Sequence, residues 1–452
     1  MIARSVIRFR AFLYLIVDLL CLNLAFALAI AVLFDGSLTA SNRHALMNVL
    51  PSLNVLYLVL LWGFGLYSST WKSTSELFSS IVITSILTSV SAMALAFFLR
   101  GFALPRSIVL VAFIFQLLLL SLWRFGLKRL EERNASPKRV LVIGNSQSVL
   151  ELTTHFLRLG QNYQILELVK PLDQQRIEEL LPKADIVCLD SQLTGEEKKN
   201  FLRKSIEENK QVLMIPALED ILLMGAQLDR IDDRPILRLD SFRLTPRQQV
   251  VKRIFDLALS SVLLLLLTPL FVLITVLVKL TSPGPVFYVQ ERLGEGGVPF
   301  KLLKFRSMVV DAEEHTGPVL AQAEDPRITK VGKLLRALRL DELPQLVNIF
   351  FGQMSFVGPR PERQFFVEQF EETLPEYRYR MLVKPGLTGL AQVLGKYTTE
   401  VDDKLRYDLF YIRSYSLLLD LQILLLTLRV IVCPNSSKGT EEMANSIFQS
   451  RV

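Results

Sequence analysis

The chain has 452 residues, of which 51% are hydrophobic, and its mean hydropathy is +0.36. This length allows roughly two to four domains, and the apolar excess is gathered into long runs, which indicates membrane segments. The net charge of +7 fits contact with anionic lipid and phosphorylated substrates. Because the basic residues mostly flank the apolar runs, the charge does not predict nucleic-acid binding. Three scattered cysteines, Cys21, Cys188 and Cys433, argue against a disulfide framework and a zinc site.

Four apolar runs open the chain, and each approaches or exceeds the ~20 residues that a helix needs to cross a bilayer. They lie at about residues 11–34, 45–66, 78–99 and 107–127. We therefore predict a four-helix transmembrane domain over residues 1–133. Asp18 lies within the first run, and we expect it to pair with a neighbouring helix, with a functional role as the alternative.

Positive charge at both ends of this domain sets its expected orientation. The basic residues are Arg4, Arg8 and Arg10 before the first run, and Arg124, Lys128, Arg129 and Arg133 at the exit of the fourth. Since lysine and arginine accumulate on the cytoplasmic side, both ends of the domain are predicted to be cytoplasmic.

From Lys138 the hydrophobic periodicity changes. The segments KRVLVI, ADIVCLD and QVLMIP have the pattern of buried strands, and EEKKNFLRKSIEE has that of a helix. This alternation predicts a Rossmann-like α/β module over residues 138–240. Only Gly144 follows the first strand, whereas a dinucleotide-binding turn needs G-x-G-x-x-G. We therefore expect a structural role in oligomerisation or regulation, with nucleotide binding as the alternative.

A fifth apolar run covers about residues 254–280 and contains Pro269 near its middle. Proline removes a helical hydrogen bond and clashes with the preceding turn, so we predict a kink there. The run is either a fifth spanning helix or a hairpin that returns to the same membrane face. A short β-hairpin is expected next. Near the C-terminus the run SLLLDLQILLLTLRVIV is interrupted by Asp420, Gln422 and Arg429, which predicts an amphipathic helix lying on the membrane and not a crossing. The polar tail at residues 435–452 is expected to be loosely ordered.

The most informative stretch is residues 335–361, LRALRLDELPQLVNIFFGQMSFVGPRP. The adjacent carboxylates of Asp341 and Glu342 lie between Arg336 and Arg360. Arginines bind phosphate oxygens in bidentate fashion, one carboxylate can attack phosphorus, and another can hold a divalent cation. The alternative is a solvated helix with ordinary surface ion pairs.

This stretch resembles the signature of the bacterial sugar transferases that load polyprenyl phosphate, the monotopic phosphoglycosyl transferases. Further similar segments are KFRSM, EDPRITKVGKLLR, PGLTGLAQV and KLRYDLFYIRSYSLLLDLQILLLT, in the family's order from about residue 252 to 432. The sequence departs from the common pattern at Arg339, Gln353 and Leu394, which leaves the sugar preference open. Asp325, Arg327 and Tyr407 match family positions without an assigned role.

The resemblance implies transfer of a sugar 1-phosphate from a nucleotide diphosphate sugar, expected to be a UDP-hexose, to polyprenyl (undecaprenyl) phosphate. This is the first membrane step of exopolysaccharide, capsule or O-antigen synthesis. It implies that Asp341 is the nucleophile of a covalent aspartyl-phosphosugar intermediate and that Glu342 binds Mg²⁺. The implied phosphate-binding residues are Lys304, Arg306, Arg336 and Arg360.

The same resemblance implies a catalytic domain at residues 247–434, carried by a re-entrant helix at about 254–280 that is kinked at Pro269. A spanning helix would place the catalytic residues outside the cell, where nucleotide sugars are not supplied. We expect this domain on the cytoplasmic face of the bacterial inner membrane, in contact with lipid, and the protein as a homodimer.

Two other classes of protein have to be considered. A membrane-bound nucleotide-sugar dehydratase or epimerase also joins membrane helices to a Rossmann-like unit, but the missing glycine-rich turn argues against it. A non-enzymatic scaffold for polysaccharide synthesis is the other, and the intact Asp341–Glu342 pair argues against that.

Overall fold

The computed structural model describes residues 2–67, 74–99, 104–134, 136–158, 163–239, 241–310, 325, 327–395 and 399–432. These residues form two compact units, one containing the described residues up to Ala217 and the other beginning at Leu218. The predicted domain boundaries at residues 133, 240 and 247 stay predictions. The expected polar tail at 435–452 lies outside the described residues.

The first unit opens with four long helices. They are α1 (Ile2–Phe34), α2 (Ala40–Gly63), α3 (Thr74–Phe98) and α4 (Arg106–Asn134). Each contains a stretch of 22 to 26 residues that is long and apolar enough to cross a membrane, which confirms the predicted apolar helices. Asp18 of α1 forms a buried ion pair with Arg124 of α4, as expected for an acid in an apolar helix. Arg124 is therefore buried between helices and is not one of the loop charges that set orientation.

The rest of the first unit is an α/β region with a four-stranded parallel sheet in the order β2-β1-β3-β4. Its elements are β1 (Lys138–Ile143), α5 (Gln147–Arg158), β2 (Tyr163–Val169), α6 (Gln174–Leu180), β3 (Ile186–Leu189), α7 (Gly195–Glu207) and β4 (Gln211–Met214). Alternate residues of the central strands pack into separate apolar clusters: Leu141 and Val187 into one, Val140 and Ile186 into another. Because the central strands contribute to both clusters, they read as continuous apolar runs.

The second unit begins with α8 (Leu218–Leu223) and an antiparallel hairpin of β5 (Gln227–Ile231) and β6 (Arg234–Arg238). The 36-residue helix α9 (Pro246–Thr281) follows, and it is also long and apolar enough to cross a membrane. The Thr245 hydroxyl accepts from the Gln248 N–H, and Pro246 occupies the first helical position, where no amide hydrogen is needed. Pro269 lies inside this helix.

After α9 comes the predicted β-hairpin, formed by β7 (Phe287–Leu293) and β8 (Pro299–Phe305). Its turn contains Gly296 and Gly297, whose φ angles of 70° and 76° lie in the left-handed region that favours glycine. The remaining elements are α10 (Lys330–Ala337), α11 (Gln345–Phe350), β9 (Ser355–Val357), α12 (Gln364–Thr373), β10 (Gly386–Thr388), α13 (Leu390–Leu394), α14 (Val401–Arg413) and α15 (Leu417–Val432).

The core of the second unit surrounds the short parallel pair of β9 and β10. All three residues of β9 are buried. The two backbones approach so closely that a Cβ on Gly386 would lie 2.1 Å from the Gly358 nitrogen, so this position requires glycine. The pair therefore forms a rigid support for the residues that follow β9.

The structure corrects one part of the interpretation of α15. The helix is present, but Asp420 and Arg429 are buried, with 0% and 7% exposure, and do not form a solvent-facing stripe. Asp420 is buried because its carboxylate forms an ion pair with Lys252 of α9, at 2.6 Å.

Candidate active site

Asp341 and Glu342 lie on a single turn of 3₁₀-helix, Leu340–Glu342, between α10 and α11. Arg339 just before it has φ 55° and ψ 22°, a left-handed conformation that is uncommon for a residue with a side chain. Arg339 lies between the C-cap of α10, Leu338, and this turn, and Pro344 then leads into α11. Both carboxylates are thus carried by a tight turn and not by the face of a long helix.

The carboxylate of Asp341 is nearly buried, with 9% exposure. Among the described residues, no side chain donates a hydrogen bond to it. Burial, and then the adjacent negative charge of Glu342, raise the pKa of Asp341, while Lys304 and Arg336 act in the opposite direction. Asp341 is therefore a poorly solvated carboxylate whose oxygen lone pairs are available for reaction.

Glu342 has the opposite environment. Arg360 Nη2 donates to Glu342 Oε1 at 2.8 Å, and Lys304 Nζ lies 3.8 Å from the same oxygen. Burial acts to raise the pKa of Glu342, but the positive charges of Arg360 and Lys304 prevail and lower it to about 2. Glu342 is thus held as an anion, and the two adjacent acids are electrostatically distinct.

Arg360 lies in the Gly-Pro-Arg-Pro turn at residues 358–361. The Gly358 N–H donates to Thr388 O and the Gly386 N–H to Pro359 O, both at 2.9 Å. Arg380 Nη2 donates to the Arg360 carbonyl at 3.1 Å and to Asp408 at 2.7 Å. The turn is therefore held on two sides, which limits where the Arg360 guanidinium can lie.

The other two predicted phosphate-binding residues occupy different positions. Arg336 contributes positive charge at Asp341, and its buried Nη1 has no hydrogen-bond partner in the described part of the chain. Arg306 pairs with neither carboxylate among the described residues; its Nη2 donates to Ser282 O at 2.7 Å, while Nε and Nη1 are buried without partners. The structure thus groups Lys304, Arg336 and Arg360 around the acids and leaves Arg306 at the end of α9.

The donor set was compared with the needs of Mg²⁺. In the part of the chain that the structure describes, no three Asp, Glu, His or Cys side chains are grouped as metal ligands. Asp325, the other nearby acid, is occupied by Arg327 at 2.6 Å, which lowers its pKa to about 2. Mg²⁺ binds one or two protein carboxylates together with substrate phosphates, so these residues fit it only jointly with a phosphorylated substrate.

Sequence reasoning missed residues that hold the site in place. Arg253 of α9 donates to the carbonyls of Ile349 and Phe350 at the end of α11, at 2.8 and 2.6 Å. Asn348 accepts from the Leu303 N–H and donates to Lys301 O, which fixes β8 beside Lys304. The available signal was a buried polar residue in the otherwise apolar run LVNIFF. Tyr407 packs against the core, and the structure gives it no further role.

Comparison with known proteins gives a family profile and several relatives. The profile described as "Bacterial sugar transferase" matches residues 247–434. A UDP-N-acetylgalactosamine-undecaprenyl-phosphate N-acetylgalactosaminephosphotransferase of Aeromonas hydrophila is 39% identical over 54% of this chain and 57% of its own length. A UDP-glucose:undecaprenyl-phosphate glucose-1-phosphate transferase of Klebsiella pneumoniae is 40% identical over 51% of this chain and 50% of its own length.

The chain thus spans about half the length of those two relatives. A third match is nearly complete: a UDP-galactose-lipid carrier transferase of Erwinia amylovora is 30% identical over 92% of this chain and 94% of its own length. The chain therefore belongs to the bacterial sugar transferase family.

Proposed function

We propose that this protein transfers a hexose 1-phosphate from a UDP-hexose to undecaprenyl phosphate, through a covalent intermediate on Asp341. The observation that carries the proposal is the pairing of a poorly solvated Asp341, to which no side chain of the described residues donates, with a Glu342 that Arg360 and Lys304 hold as an anion. The printed names of the relatives, which act on UDP-sugars and undecaprenyl phosphate, support the substrate classes.

In the first step, an Asp341 oxygen attacks the phosphorus that bears the sugar. The new O–P bond forms as the bond to the bridging oxygen of the diphosphate breaks, and uridine monophosphate leaves with that electron pair. In the second step, a phosphate oxygen of undecaprenyl phosphate attacks the same phosphorus and expels the Asp341 carboxylate. Dividing the reaction in this way avoids a direct encounter between two anionic phosphates.

The surrounding charges serve these displacements. Glu342 and the substrate phosphates would hold Mg²⁺, which when bound would neutralise the diphosphate. Lys304, Arg336 and Arg360 stabilise negative charge as it builds on the phosphoryl oxygens. Arg306 Nε and Nη1, which have no hydrogen-bond partner among the described residues, are the donors that we assign to a substrate phosphate.

We further propose that α9 is a re-entrant hairpin kinked at Pro269. Asp256 near its start bonds to β9, and Ile274 and Val278 near its end pack with Phe305 in the same unit. A spanning helix would separate its two ends by the ~30 Å hydrocarbon layer, so one unit could not hold both ends. Cysteine labels near Arg247 and Thr281 should then react from the same, cytoplasmic side; labelling from opposite sides would refute the hairpin.

We propose that the protein lies in the bacterial inner membrane, with the catalytic domain on the cytoplasmic face; the four apolar N-terminal helices support a membrane location. We propose that the α/β region at 138–240 is a Rossmann-like module that binds no nucleotide and serves a homodimer interface. The strand order β2-β1-β3-β4 supports this fold. In open parallel sheets of this kind, ligands bind at the carboxyl ends of the strands, where the strand order reverses. At that point Asp190 accepts from the Asn145 and Ser146 N–H groups, which a nucleotide phosphate would otherwise use.

The test is uridine monophosphate release by the purified protein, with undecaprenyl phosphate and a panel of UDP-sugars. One sugar should be preferred, and omission of the lipid should leave the Asp341 peptide heavier by one sugar phosphate. Absence of release with every nucleotide sugar tried would overturn the proposed reaction. Release without a mass increase on Asp341 would overturn the covalent intermediate alone.

A further inference from the structure

The beginning of α9 is joined to α14 and α15 by a buried ionic cluster. Lys252 Nζ donates to Asp420 Oδ2 at 2.6 Å and to the Tyr411 hydroxyl at 3.0 Å. The single hydrogen of that hydroxyl has two acceptors within reach, Asp420 Oδ1 at 2.7 Å and the Val357 carbonyl oxygen at 3.1 Å. The side chains of Lys252 and Asp420 are only 7% and 1% exposed, so the cluster lies inside the second unit.

Stability alone is a weak reason for such a cluster. The cost of removing two charges from water offsets most of their attraction, and apolar side chains would fill the same space at least as well. What the cluster orients is therefore more informative. The Tyr411 hydroxyl lies 3.1 Å from the carbonyl oxygen of Val357, the last residue of β9.

The same helix holds β9 at its other two residues. Asp256, one turn beyond Lys252, accepts from the Ser355 hydroxyl and from the Phe356 N–H through its Oδ1, both at 3.1 Å. All three consecutive residues of β9 are thus tied to α9, directly or through Tyr411. The position of this strand follows the position of the membrane helix.

Strand β9 leads directly to the Gly-Pro-Arg-Pro turn at residues 358–361. Arg360 is three residues beyond Val357, and its guanidinium donates to Glu342 at 2.8 Å. Because the turn between them is rigid, a shift of β9 displaces the guanidinium against the acid pair. The connection runs from Lys252 and Asp256 through β9 to Arg360.

We infer that Lys252, Tyr411, Asp420 and Asp256 are positioning residues that set Arg360 against Glu342 from the place where α9 enters the second unit. None of them contacts the acid pair, so they act only through β9. The inferred effect on catalysis rests on the proposed function, whereas the inferred effect on the position of β9 does not.

The chain offers a matched pair of variants. Tyr411→Phe removes the hydroxyl that joins Lys252, Asp420 and β9, whereas Tyr415→Phe removes a hydroxyl that has no hydrogen-bond partner among the described residues. Both rings lie near the Lys252 ammonium, with centroids 5.8 and 5.2 Å away. Both variants keep a ring of the same size, so packing is preserved.

For uridine monophosphate release, Tyr411→Phe should lower kcat/KM by about 10- to 100-fold, since small displacements in an active site have effects of this order. Tyr415→Phe should stay within about twofold, as for a change that alters no bond. Asp256→Ala should behave like Tyr411→Phe, and Asp256→Asn, which keeps an oxygen acceptor, should restore most of the rate.

Two readouts separate positioning from general destabilisation. If Tyr411 acts through Arg360, the effects of Tyr411→Phe and Arg360→Lys on kcat/KM are less than additive, whereas independent effects add. Amide hydrogen exchange at residues 355–361 should rise in Tyr411→Phe and not in Tyr415→Phe. Additive rate effects, or equal exchange in the two variants, would overturn the inference. The exchange comparison is decisive even if the wild-type protein releases no nucleotide, a result that would refute only the proposed reaction.

Discussion

Asp190 in the first unit and Asp341 in the second are both nearly buried carboxylates, with 1% and 9% exposure. Asp190 accepts from the Asn145 and Ser146 N–H groups and from the Ser146 hydroxyl, at 3.0, 2.8 and 2.6 Å. Burial acts to raise the pKa of Asp190, but these hydrogen bonds prevail and lower it. No side chain of the described residues donates to Asp341, whose pKa burial raises.

The difference separates a structural acid from the proposed nucleophile. Donors that surround Asp190 use its lone pairs, and the carboxylate fills the place beside Gly144, where a Cβ would lie 2.6 Å from Asp190 Oδ2. Asp341 accepts no side-chain hydrogen bond among the described residues, and Lys304 and Arg360 pair with Glu342. Hydrogen-bond saturation, more than burial, distinguishes the two sites.

Exchanging each acid for its amide tests the comparison most strongly. Asp341→Asn should lower uridine monophosphate release by at least ~10³-fold, because an amide cannot form the acyl phosphate. Asp190→Asn should leave the rate close to that of the wild type. The measurement is turnover by purified, folded protein; a near-normal rate for Asp341→Asn would remove the basis for calling it the nucleophile.

Removing the charge of Glu342 should make Asp341 more like an ordinary aspartate. Glu342→Gln should lower the rate by roughly 10²-fold, with partial recovery at higher Mg²⁺, since it weakens both cation binding and charge stabilisation. It also removes a negative charge that raises the pKa of Asp341. Because the nucleophile must be ionised, the acidic limb of the pH–rate profile should move to lower pH.

The pH profile of the residual activity checks this, with Glu368→Gln as the control. Glu368 is an exposed residue of α12 that bonds only to Gln364 among the described residues, so its profile should match the wild type. An acidic limb that stays in place in Glu342→Gln would show that burial alone sets the pKa of Asp341.

Asp190, whose carboxylate already accepts several hydrogen bonds, should contribute to the stability of the first unit and not to the reaction rate. Asp190→Asn loses charge-assisted bonds worth about 1.5–3 kcal/mol and should lower the thermal unfolding midpoint of the first unit. Because the folded-state pKa of Asp190 is lowered, its contribution is present above the usual aspartate value of about 3.9 and lost as the pH falls below it. The difference between wild type and variant should therefore shrink in acid.

Asp185→Asn is the matched control for this prediction. Asp185 pairs with Arg139 at the surface, with side chains 43% and 45% exposed, so its loss should cost less than about 1 kcal/mol. Equal destabilisation by the two variants would contradict the importance of saturation at Asp190.

Separating the two units should have the smallest effect on chemistry. A chain that begins at Leu218 should keep the reaction, because every proposed reacting group lies in the second unit. A chain that begins at Arg247 should also react but be less stable by about 1.5–3 kcal/mol, since it loses Ile221, which is 1% exposed in that core. Turnover and unfolding midpoints of both chains give the comparison; a folded but inactive Leu218 chain would show that the first unit contributes to catalysis.

Patterns within short stretches predicted the elements well. Apolar runs of transmembrane length predicted the four N-terminal helices, and strand-like runs beginning at Lys138 predicted β1, β3 and β4. The acid pair and its basic neighbours were also found from sequence, because the motif keeps most of them within 26 residues. Long-range pairing was not predicted: the run containing Asp420 was expected to form an amphipathic helix on the membrane, and the contact of Asp420 with Lys252, 168 residues away, turns this carboxylate inward.

The sequence by itself determined the family, the approximate positions of the apolar helices and the identity of the two adjacent acids, since each is written in local spacing and residue type. It could not decide which carboxylates are surrounded by hydrogen-bond donors and cations. The donors to Asp190 lie about 45 residues away, and the cation on Glu342 lies 18 residues away across a turn. Only the tertiary structure brings these groups within 3 Å, and at that range burial and hydrogen bonding set the charge and reactivity of each carboxylate.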